Sequence, residues 1–183
     1  MSLPAKLLSS KKLALIIVLS AVGGISSVLV GYAGGFLSFI PLGSPVAGQL
    51  LAGLHVLWLI LVAVLTKIRG AATMAGAVKG TVEMFLPNHL GFLVFFMSLF
   101  EGLIIDLSLL SFGGYKRLPI LFGSGLSSAS NVVVLQVFQI LPATLPPQIY
   151  LGMYAASFCS GLVLGGYLGV KTLGGLRKFL PNI

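Results

Sequence analysis

Six apolar runs, each about 20 residues long and separated by short polar gaps, constrain this chain more than any other feature. A helix needs ~20 mostly apolar residues to cross a bilayer. The runs extend from about Lys12 to Tyr32, Pro45 to Thr66, Gly70 to Leu86, Gly91 to Ser111, Pro119 to Leu141 and Gln148 to Lys171. They are too long and too continuous for the alternating pattern of an outer-membrane barrel. Gaps such as Lys67-Ile68-Arg69 and Pro87-Asn88-His89-Leu90 are short enough to make successive helices antiparallel neighbours. The predicted fold is an all-α integral membrane protein, with residues 1–183 forming a single six-helix membrane domain.

Composition agrees. Only 8% of residues are charged and 57% are hydrophobic, whereas a soluble domain carries about 25% charged residues. The net charge of +8 does not indicate nucleic acid. The basic residues punctuate the ends of apolar runs instead of clustering with aromatics on one face. The single cysteine, Cys159, lies inside an apolar run and can build neither a disulfide framework nor a thiolate metal site.

The basic residues also set direction. Lys6, Lys11 and Lys12 precede the first run, and Lys67 and Arg69 separate the second from the third. Lys116 and Arg117 separate the fourth from the fifth, and Lys171, Arg177 and Lys178 follow the sixth. The alternate gaps, Ala33 to Ser44, Pro87 to Leu90 and Pro142 to Pro147, hold no lysine or arginine. By the positive-inside rule both termini are cytoplasmic, in a multi-pass protein of the plasma membrane. Reading the first run as a cleaved signal peptide would leave five spans and is set aside.

Glu83, Glu101 and Asp106 are the only acids, and all lie inside spans, as does Lys79. Ionisable groups at such depth cost several kcal/mol and normally pair or face a cavity. At ~1.5 Å per residue, Lys79 and Glu101 fall at nearly equal height on adjacent antiparallel helices, with Glu83 ~6 Å nearer the outside. A Lys79–Glu101 pair near the midplane fits this geometry, a Lys79–Glu83 pair stays open, and Glu83 is placed to serve a ligand. Asp106 lies deeper toward the cytoplasm and about 140° around its helix from Glu101. Pairing that merely holds the bundle in register is the structural alternative.

Other polar groups accompany the acids in the outer half. Asn88 and His89 follow Glu83, and Gln49 begins the second run with His55 and Trp58 below it. The fifth run offers Asn131, Gln136 and Gln139; the sixth carries Tyr150, Tyr154 and Ser157 on one helical stripe. Aromatics, amides and one or two carboxylates suit a small, flat, partly cationic or hydrogen-bonding heterocycle. There is no phosphate loop, no metal-ligand spacing and no Ser/His/Asp set, so the sequence reads as neither enzyme nor ATPase, with no cofactor. Gly161, Gly165 and Gly169 recur every four residues, and Ser20 and Gly24 do the same on the first run. Such faces allow close helix crossing, either within the bundle or against a partner subunit.

Residues Lys67-Ile68-Arg69-Gly70-Ala71-Ala72, Glu83-Met84-Phe85-Leu86-Pro87-Asn88 and Glu101-Gly102-Leu103-Ile104-Ile105-Asp106 form a further pattern. A basic stretch leads into Gly-Ala, an acid ends the third helix, and a polar-Gly pair is followed by an acid five residues beyond the polar residue. With six spans and cytoplasmic termini, this resembles the substrate-binding S components of energy-coupling factor (ECF) vitamin transporters, most closely the YkoE-type thiamine and hydroxymethylpyrimidine subunits. The resemblance implies a binding protein that captures a vitamin from outside and docks on a transmembrane scaffold driven by two ABC ATPases. It implies a lid at about Gly34 to Ser44, ligand contacts from Glu83 and Glu101, and scaffold contact through the small-residue faces. Lys79 departs from the pattern, and Ser20/Gly24 stands where the family has an Ala-x-x-x-Ala signature. The competing readings are an ion-coupled carrier or channel acting as an oligomer, and a purely structural membrane subunit.

Overall fold

The computed structural model describes residues 9–38, 44–88, 90–142 and 144–179. His89 and the middle of the expected lid lie outside them. Among the described residues the chain is entirely helical. It contains α1 (Ser10–Ser38), α2 (Ser44–Gln49), α3 (Ala52–Thr66), α4 (Ala71–Phe85), α5 (Leu93–Ser111), α6 (Arg117–Val137), α7 (Pro147–Ser160) and α8 (Leu168–Phe179). A π-helical stretch, Gly161–Tyr167, joins α7 to α8. Five stretches are long and apolar enough to cross a membrane: 10–37, 45–66, 93–111, 117–137 and 147–175. The protein is accordingly a multi-pass membrane protein. At 15 residues, and carrying Lys79 and Glu83, α4 does not join those five.

The most enclosed element is α3, with Val56, Leu59, Ile60, Val62 and Ala63 fully buried. Its start shows how a broken helix is repaired. The chain turns at Leu50–Leu51 between α2 and α3, which frees backbone groups that lipid cannot satisfy. Ser160 of α7 bridges the gap: its hydroxyl donates to the Leu50 carbonyl (2.6 Å) and accepts from the Gly53 amide (2.9 Å). The other end of α3 closes on Lys67 in a left-handed conformation, its N–H reaching the Ala63 carbonyl. Lys12 of α1 donates from Nζ to the Thr66 carbonyl at 3.0 Å.

Small residues bring α4 and α5 together. A Cβ added at Gly76 would lie 2.2 Å from the Ser98 carbonyl oxygen, and one at Gly102 would lie 2.2 Å from that of Ala72. This contact holds Lys79 and Glu83 against Ser98 and Glu101. Gly102→Ala is expected to cost ~1–3 kcal/mol of stability, because backbone rather than a movable side chain stands in the way. Gly174→Ala, which meets nothing within 4 Å, should stay within about 0.5 kcal/mol. Denaturant unfolding of both variants in detergent checks this; equal effects would mean that the α4–α5 contact yields.

One expectation is corrected here, and one pair of alternatives is narrowed. Residues 34–38 belong to α1 rather than to an open loop, since Ala33 to Ser38 contains no proline to stop the helix. The small-residue faces are filled from within. A Cβ at Gly161 would strike the Ser124 carbonyl, Gly165 faces Gly53 and Ser124, and Gly169 faces Ile60. Ser20 is fully buried, and Gly24 packs on Val82 and the Lys79 carbonyl. Close approach is what these residues provide, but the partner is the chain's own α3, α4 and α6.

Candidate functional site

A cavity of about 170 Å³ opens among α1 to α6, and its charged wall is built on α4 and α5. One helical turn separates Lys79 from Glu83, so both face α5, where Ser98 and Glu101 are likewise spaced along one face. Lys79, 1% exposed, donates to Ser98 Oγ at 2.8 Å and Glu101 Oε2 at 3.3 Å, and lies 3.0 Å from Glu83 Oε1. Ser98 in turn donates to Glu83 Oε2 at 2.6 Å. From α6, Asn131 Nδ2 donates to Glu101 Oε1 at 2.6 Å, leaving Asn131 Oδ1 without a partner among the described residues. Ser127 also bonds the Glu101 carbonyl (2.9 Å). Lys79 therefore joins both carboxylates, and two acids are balanced by one ammonium.

His55 completes this wall from α3, its Nδ1 4.0 Å from Glu83 Oε1. Gln49 lines the same cavity at the end of α2, and α1 contributes Ser27 and Tyr32. Asn88 lies at the rim, where its side chain has a local task. It donates to the Glu83 and Leu86 carbonyls (2.8 and 3.0 Å) and accepts from the Leu90 amide (3.0 Å), closing the end of α4. Tyr32 ties α1 to this turn through the Pro87 carbonyl at 3.1 Å. Val94, Met97 and Leu135 supply apolar wall.

Glu83, Glu101, Asn88, Gln49 and His55 thus meet at one cavity. Asn131 joins them from α6. Among the described residues, Gln136, Gln139, Tyr150 and Tyr154 do not line the cavity. Gln136 accepts a hydrogen bond from Tyr154, Tyr150 donates to the Pro142 carbonyl at 2.9 Å, and exposed Gln139 occupies the left-handed turn after α6. These tyrosines and amides join α7 to α6 and the turn between them. Asp106 is also elsewhere. It accepts from the Ala72 and Thr73 amides (3.3 and 2.7 Å) and from Thr73 Oγ1 (2.7 Å), capping the start of α4. Tyr32 and Ser98 were not singled out from sequence, and Ser27 was read only as part of a small-residue packing face. Ser98 had a signal, lying three residues before Glu101 on the same helix face.

The wall can offer a ligand carboxylate, imidazole and amide acceptors beside apolar surface. Among the described residues no group of three or more His, Cys, Asp or Glu is placed to hold a metal ion. One solved structure, described as "Crystal structure of an S-component of ECF transporter", is similar with a TM-score of 0.85 at 22% identity, covering 94% of this chain and 87% of its own. This establishes a shared fold. No curated protein sequence matches. The family profile "ABC-type cobalt transport system, permease component" matches residues 11–134. Family and fold are those of transporter subunits, which are not enzymes. The chain therefore belongs to the family of ABC-type cobalt transport system permease components.

Proposed function

We propose that this chain is the substrate-capture subunit of an ECF-type importer in the plasma membrane, with six spans and both termini cytoplasmic. It takes a small vitamin-like heterocycle, thiamine or its hydroxymethylpyrimidine precursor, and works with a transmembrane scaffold and two ABC ATPases. The observation that carries the reading is the half-neutralised wall, with Glu83 and Glu101 sharing the single ammonium of Lys79 beside a cavity. Its residual negative charge favours a monocation or a ring rich in N–H donors, because a buried charge is strongly stabilised by a partner that is both opposite in sign and hydrogen-bonded. Size agrees. A dry cavity of about 150 Å³ holds a benzene ring, so about 170 Å³ admits one flat ring.

The family's name points to cobalt, but the donor set favours an organic ligand. The carboxylates a divalent ion would use are already 3.0 and 3.3 Å from Lys79 Nζ. A metal would have to displace that ammonium and leave it buried without a counter-charge. Calorimetry on the purified chain with thiamine, hydroxymethylpyrimidine, riboflavin and Co²⁺ separates these readings. Binding of a pyrimidine with no heat from Co²⁺ is expected; Co²⁺ binding alone would overturn the organic assignment. Uptake by the chain alone, driven by a pH gradient, would instead establish an ion-coupled carrier.

A further inference from the structure

A second cavity, about 380 Å³, lies where the turn between α3 and α4 meets the turn between α5 and α6, with Arg69, Asp106 and Tyr115 in its wall. Gly113 and Gly114 (φ 86° and 93°) carry the backbone around it, and open space lies where their side chains would stand. Among the described residues no ion pair joins Arg69 to Asp106. The cavity thus presents one cationic and one anionic group, each unneutralised by the other. Among the described residues, Asp106 Oδ1 accepts only the long bond from the Ala72 amide, which leaves capacity for another donor. Burial, reinforced by Asp106 and opposed by Arg69, pushes the Tyr115 hydroxyl up from its ordinary range, so it remains a donor.

The apolar surroundings point to the kind of molecule. Phe100, Leu103, Leu107 and Leu110 are 43%, 40%, 52% and 61% exposed. Their spacing of three, four and three residues makes one stripe along α5, and Leu107 and Leu110 also line the cavity. The stripe is ~15 Å long at 1.5 Å per residue. That is half of a ~30 Å hydrocarbon core, the depth of one leaflet. An apolar track of leaflet length therefore ends at a pocket bearing a guanidinium and a carboxylate.

We propose that this cavity is a binding site for a zwitterionic aminophospholipid, its phosphate on Arg69 and Tyr115, its primary ammonium on Asp106 and an acyl chain along the α5 stripe. Guanidinium binds phosphate in a fork, and an ammonium with N–H donors meets a carboxylate through charge-assisted hydrogen bonds. A trimethylammonium head has no N–H to donate, so a choline lipid should bind less well.

Native mass spectrometry of the full chain, titrated with phosphatidylethanolamine, phosphatidylcholine and phosphatidylglycerol of identical acyl chains, tests this. Phosphatidylethanolamine should be retained about tenfold better than phosphatidylcholine, the effect of one charge-assisted hydrogen bond. Arg69→Gln, at an exposed turn position, should weaken retention of phosphatidylethanolamine and phosphatidylglycerol alike. Asp106→Asn should abolish the preference for ethanolamine over choline; its amide oxygen retains the Thr73 contacts, and a melting curve of the variant checks that the fold persists. Equal retention of the ethanolamine and choline lipids would overturn the proposal. So would stronger retention of phosphatidylglycerol than phosphatidylethanolamine, or an Arg69→Gln protein indistinguishable from the parent.

Discussion

Lys79→Met should lower the unfolding free energy by ~3–5 kcal/mol, the cost of removing one partner from a buried ion pair. Methionine nearly matches the volume, so the loss isolates charge from packing. The ammonium now satisfies Ser98 Oγ and both carboxylates within 3.3 Å. Without it, the two buried carboxylates would share one wall with no ammonium between them. The triple change Lys79→Met, Glu83→Gln and Glu101→Gln should recover more than half of the loss, because it removes the charges together. Denaturant unfolding of the parent, single and triple variants in detergent measures both numbers. A single-variant loss below about 1 kcal/mol would mean that the network is solvated and behaves as a surface pair. In that case the cavity's charge would no longer follow from the geometry.

The equal depth of Lys79 and Glu101 was legible in the sequence, because short gaps force antiparallel neighbours and the helical rise converts residue counts into heights. The same arithmetic set Asp106 apart, and it caps α4 well away from the cavity. What depth does not give is azimuth. Gln136, Tyr150 and Tyr154 lie toward the same helix ends as the cavity but face the junction of α6 and α7, where Tyr154 bonds Gln136 and Tyr150 bonds the Pro142 carbonyl. The spacing of Gly161, Gly165 and Gly169 likewise announced a close crossing without naming the surface crossed. Bilayer and partner helix are equally apolar, so the pattern carries no address. Span lengths were harder still. Apolar continuity through Leu50 and Leu51 gave no sign of the break between α2 and α3, since the hydroxyl that repairs it comes from Ser160, 110 residues away.

Glu83→Gln should weaken ligand binding by more than tenfold, over ~1.4 kcal/mol, while Glu101→Gln should weaken it less. Both carboxylates have each oxygen engaged, and they differ in what lies beside them. Glu101 accepts from Lys79 and from Asn131, and it is 2% exposed. Glu83 also meets Lys79 and Ser98, but it is the acid near His55, which is 26% exposed on the cavity wall. A ligand donor entering between His55 and Glu83 would gain a charge-assisted bond worth about 1.5–3 kcal/mol. Glutamine keeps the shape and loses that charge. Calorimetry with thiamine or hydroxymethylpyrimidine, whichever the parent binds, compares the variants directly, and a melting curve for each separates lost binding from lost fold. A folded Glu83→Gln protein that binds as tightly as the parent would move the ligand off this acid, toward Gln49 and the rim. A larger loss from Glu101→Gln than from Glu83→Gln in folded proteins would place the ligand's charge deeper, in competition with Lys79 itself.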